Sequence, residues 1–136
     1  MRQRPMLTSD DVSTIMNAAR TEAQKGGNPV AIAIVDDAGY LLQFERFDGA
    51  GPTTADVAIG KARAAALTRK PTKELEARVV ERPVFLHFPY PDSILIQGGL
   101  PILVGDDCVG AVGVSGRASA EDEAIGRVGI AALSIE

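Results

Sequence analysis

Val12, Ile15, Met16, Ala19 and Ala23 fall at the i, i+3, i+4, i+7, i+11 spacing of one helix face. Thr8, three residues before Asp11, offers an acidic variant of the capping box at its start. Gly26-Gly27 ends this helix, because glycine accepts the left-handed cap conformation. The pattern then changes. Val30 to Val35 is an unbroken apolar run, followed by the turn residues Asp36 to Gly39 and a second run, Tyr40 to Arg46. The short separation predicts a β-hairpin. A strand apolar on both faces predicts a central position, covered on both sides.

Ala55, Ala58, Ile59, Ala62 and Ala66 make a second helical stripe, with Thr53 and Asp56 as its capping pair. The stripe is nearly all alanine, so this helix should lie very close to its neighbour. Arg69 and Lys70 close it, where cations suit the helix dipole, and Pro71 stops it. A shorter helix is expected over 73–82. Residues 83–92 carry three prolines and three aromatics and read as irregular. Three strands follow, over 93–97, 100–104 and 108–115, separated by Gly98-Gly99 and Gly105-Asp106-Asp107. Ser119 and Asp122 cap a last helix whose buried face is read as Ile125, Val128, Gly129 and Ala132. The order is α-β-β-α-α-β-β-β-α. Hairpins on each side of a helical insert imply an antiparallel sheet in a single α+β domain, 7–136, behind a short tail, 1–6.

Composition narrows the chemistry. The 136 residues are 46% apolar and 24% charged, enough for one ordinary core. There is one histidine, His87, one cysteine, Cys108, and no tryptophan. That cannot supply a Cys/His zinc set or an intrachain disulfide, so no metal ligand set is assigned. The net charge of −4 argues against nucleic acid. No run reaches the roughly 18 apolar residues of a membrane helix. Two arginines near the start have no apolar run after them, so a cytosolic protein without a secretory signal is expected.

Several residues could carry chemistry, each beside a plainer reading. Gly110, Gly113 and Gly116 lack the spacing and the parallel context of a dinucleotide fingerprint. They either let a helix lie on the strand or leave space for a ligand. Glu121, Asp122 and Glu123 complement a helix dipole, or place a carboxylate at a pocket mouth. Lys61 either snorkels to solvent or points into a cleft as a cation for a carboxylate. Arg46, Phe47 and Asp48 leave a strand for a loop, where function concentrates. His87 is a surface histidine, or an axial ligand or proton shuttle. Gly98-Gly99 is a plain turn or an anion nest.

The segments ERFDGAGPTTADVAIGKARAAA, QGGLPILV and VGAVGVSGRASAEDEAIGRVGIAAL together resemble the GlcG/HbpS-like proteins, which include the C-terminal domain of PduO-type proteins. The resemblance spans about 7–135. It implies a profilin-like, three-layer α/β/α fold with a five-stranded antiparallel sheet, and homo-oligomers from tetramer to octamer. It implies a small-ligand site, with haem or another tetrapyrrole as cofactor in some members. The matching framework is Asp48, Lys61, Gly98, Gly99 and Ser115. Where a PduO-type domain uses a haem-ligating histidine, that residue lies in the first helix. This first helix has none. A second reading is a cofactor-free lyase, hydratase or isomerase acting on a small carboxylate. There Lys61 and Arg46 hold the carboxylate, and Asp48 or Glu123 moves the proton. Phe47, Gly98, Gly99, Ser115 and Glu121 complete the expected ligand-binding set. A third is a non-catalytic accessory subunit.

Overall fold

The computed structural model describes residues 1–88 and 90–133. Pro89 in the proline-rich segment and the expected domain end at 134–136 lie outside the described residues. The elements are α1 (Ser9–Ala23), β1 (Ala31–Asp36), β2 (Leu41–Arg46), α2 (Thr53–Thr68) and α3 (Thr72–Glu81). A 3-10 turn (Pro83–His87), β3 (Gly99–Val104), β4 (Asp107–Ser115) and α4 (Ser119–Ala131) follow. The sheet order is β2-β1-β4-β3, antiparallel throughout. The run read as apolar on both faces is thus central, and Ala31 to Val35 are fully buried.

Alternation along β1 divides the core in two. Ile32 and Ile34 face α1 and α4, joined by Ile15, Met16, Ala19, Val112, Val114 and Ile125. Ala31, Ala33 and Val35 face α2, against Ala58, Ala62, Ala65 and Ala66. The result is a three-layer α/β/α sandwich. The expected capping box of α1 is present, with Thr8 Oγ accepting from the Asp11 amide and Asp11 Oδ2 accepting from the Thr8 amide.

The alanine face of α2 meets the sheet at backbone contact. A Cβ on Gly113 would lie 2.1 Å from the Ala58 carbonyl oxygen, and one on Gly99 2.4 Å from that of Lys61. Gly99 and Gly113 are paired across β3 and β4. The glycines therefore admit a helix. At Gly113 they leave no ligand space.

Three expectations are corrected. The sheet has four strands among the described residues, not five. Residues 93–97 cross α2 instead of joining a ladder: the Ile94 amide donates to the Gly60 carbonyl at 3.0 Å, and a Cβ on Gly60 would meet the Ile94 side chain at 2.7 Å. The buried face of α4 is Asp122, Ile125, Gly126 and Gly129, with Val128 and Ala132 outward. Gly129 allows α1 to approach, an added Cβ lying 3.0 Å from the Ile15 carbonyl oxygen. Finally, neither Thr53 nor Ser119 caps its helix: Pro52 and Ala118 hold those positions without a side-chain bond.

Candidate functional site

The sequence-predicted site residues separate into two groups. The inner group centres on Lys61, which projects from α2 and is 3% exposed. Its Nζ donates to the Val114 carbonyl at 2.9 Å and to Asp122 Oδ2 at 3.2 Å. Asp122, 2% exposed, accepts the Arg117 amide on its other oxygen at 2.9 Å. Burial pushes the Asp122 carboxyl above its ordinary value, while the Arg117 amide and the Lys61 charge pull it back. Gly98, at φ +134, leaves room for the ammonium, since a Cβ there would stand 2.7 Å from Lys61 Nζ. The Gly99 amide donates to buried Thr72 Oγ1 at 2.8 Å. Ser115 follows Val114 at the end of β4 and is nearly buried. Lys61, Gly98, Gly99 and Ser115 therefore sit together. The lysine neither snorkels nor faces an open cleft, and two of its three donors are engaged by the protein.

The outer group is Arg46, Phe47 and Asp48. They line a depression of about 570 Å³ with Ala23, Pro29 and Arg117, where the end of β2 meets the loop after α1. Arg46 and Asp48 are exposed, while Phe47 is half-buried against the core. Glu123 belongs to neither group. It accepts Gln97 Nε2 at 3.0 Å and Arg127 Nη2 at 2.6 Å, while Glu121 is exposed.

Sequence reasoning took Asp122 as a cap or as one of three acids at a pocket mouth, not as the buried partner of Lys61, and passed over Arg117. Asp122 had a signal, since it stands three residues before Ile125 and four before Gly126, on the buried stripe. Arg117 joins the two groups. Its amide binds the buried carboxylate, and its guanidinium reaches the depression.

A third cluster lies in the aromatic segment. Arg82, Val84, Phe85, His87 and Phe88 line an open hollow of about 350 Å³. The Phe85 and Phe88 ring centroids are 4.9 Å apart, and Arg82 Cζ stands 5.4 Å from the Phe85 centroid. His87 is exposed.

Fold and layers define a small α/β/α sandwich domain with a buried ion pair, a depression at the end of β2 and a hollow in the aromatic segment. The chain belongs to the family described as haem degrading protein HbpS-like, whose model matches residues 7–131. It is similar to Protein GlcG of Escherichia coli strain K12, 40% identical over 116 residues and 85% of each chain. A solved double mutant of HbpS from Streptomyces reticuli superposes with a TM-score of 0.89 at 34% identity, over 98% of this chain and 91% of that one. A PduOC–haem complex does so at 0.88 and 25% identity, over 97% and 98%. Family and fold class are those the motifs implied.

Proposed function

We propose that this chain binds a small ligand, a haem or related tetrapyrrole, at Arg82, Phe85, His87 and Phe88. The observation that carries the reading is the placement of the one histidine of the sequence beside two phenylalanine rings and an arginine. The donor set fits the group. Imidazole is an ordinary axial ligand of haem iron. Phenyl rings stack on a flat macrocycle, and a guanidinium pairs with a propionate. A bound haem would supply an iron centre, and His87 would hold it. Phe85 and Phe88 would orient the macrocycle and exclude water from one side of it. The family and the PduOC–haem complex support haem as the class of ligand. His87 is the one imidazole in the sequence, and it lies outside α1, so this proposed site differs in position from one built on a first-helix histidine.

The enzymatic reading has less support. Lys61, its expected cation for a carboxylate, is buried and paired with Asp122. Titration with hemin tests the proposal. The wild type should give a saturable Soret shift, and His87→Ala should lose it with an unchanged far-ultraviolet spectrum. A flat wild-type titration would remove haem as the ligand, and an unaltered shift in the variant would remove His87.

A further inference from the structure

We infer that the depression at Arg46 and Arg117 is a binding site for a small monocarboxylate with an apolar body, separate from the hollow at His87. Arg117 is set rigidly. Its Nε donates to the Asn28 carbonyl and its Nη2 to the Ala23 carbonyl, both at 2.7 Å. Those carbonyls belong to the C-terminal end of α1 and the loop beyond it, so the guanidinium covers the negative end of that helix. Gly27, at φ +97, lets it through, since a Cβ there would lie 2.9 Å from Arg117 Cζ. Its Nη1 makes no hydrogen bond among the described residues and stays available to a ligand.

Arg46 is the complementary case. It is exposed at the end of β2 and makes no ion pair among the described residues. Its neighbour Glu45 is already taken by Arg20, whose Nε reaches both carboxylate oxygens at 3.1 Å. The depression therefore offers two unspent guanidinium edges in a chain of net charge −4. Phe47, Pro29 and Ala23 supply apolar wall. The exposed carboxylate of Asp48 on the same rim would repel a second negative charge, which selects a monoanion over the phosphate dianion present above neutral pH. It could also accept a proton donor carried by the ligand.

The test is amide NMR of the haem-free protein titrated with benzoate, benzamide and inorganic phosphate. Benzoate should shift the amides of Gly27, Phe47, Asp48 and Arg117 saturably. Benzamide and phosphate should shift them at least tenfold more weakly at equal concentration. Arg46→Gln should lose the benzoate response while its melting temperature stays that of the wild type, because Arg46 has no structural partner to lose. Absence of a benzoate response, equal response to phosphate, or full binding by the variant would each overturn the inference. The two sites fail separately: His87→Ala should keep benzoate binding, and Arg46→Gln should keep the hemin shift.

Discussion

Lys61 and Asp122 hold opposite charges in a place nearly closed to water, and their attraction is largely offset by the cost of desolvating both. Their clearer effect is positional. One ammonium ties α2 to the β4 backbone and to α4, and the Asp122 carboxylate ties the Arg117 amide to the same point. The pair also has a pH signature. Burial raises the Asp122 carboxyl above the ordinary aspartate value of 3.8, so between 3.8 and the raised folded value the folded chain binds more proton than the unfolded chain. Its contribution to stability is fully present below 3.8 and is lost as pH rises through the folded value. Asp122→Asn abolishes that slope. Melting temperatures taken from about pH 4 to about pH 7 should show the wild type losing ground to the variant as pH rises. Parallel curves would mean an unperturbed carboxyl.

At the scale of the element, the contact of α2 with β4 tolerates no side chain at Gly113. Gly113→Ala forces a methyl group into the Ala58 carbonyl and the Ala62 amide, both backbone and unable to turn aside. A loss of about 1–3 kcal/mol or more in chemical denaturation is expected, as for overpacked cores. Gly51→Ala, where nothing lies within 4 Å, should change stability by less than about 0.5 kcal/mol and serves as the control. The same elements show what a sequence makes legible. The apolar spacing of α1 and the two-faced run of β1 stated their burial directly, because large side chains report it. On α4 the sequence favours Val128 and Ala132, which the structure turns outward, over Asp122 and Gly126, whose side chains give no hydrophobic signal. Residues 93–97 have strand-like composition, and their crossing of α2 passes over Gly60, a residue far away in the sequence whose small size permits the close approach. The resemblance groups Asp48 with Lys61, Gly98, Gly99 and Ser115, whereas in the structure Asp48 lies apart in the depression and the carboxylate beside Lys61 is Asp122, which in the sequence looks like one of three equivalent acids.

Over the whole molecule, burial falls from the middle of the sheet toward the segment that follows α2. Opening energies follow buried apolar contact. Amide hydrogen exchange should be slowest in β1 and β4. It should be fastest in the second half of α3 and the 3-10 turn, where Val80, Val84 and Leu86 are exposed. Uniform exchange across these segments would contradict that gradient. The strand order has a further consequence, for the time course of folding. β1 with β2 and β3 with β4 are hairpins of near neighbours, whereas the ladder between β1 and β4 pairs Ala31 with Ser115. Closing that ladder encloses α2 and α3 in one long loop, so the entropic barrier should fall there. Until it closes, β1 presents an unpaired apolar edge. During synthesis that edge must wait for β4, the last strand among the described residues, to emerge, which makes the first hairpin the part of the nascent chain most in need of protection from aggregation.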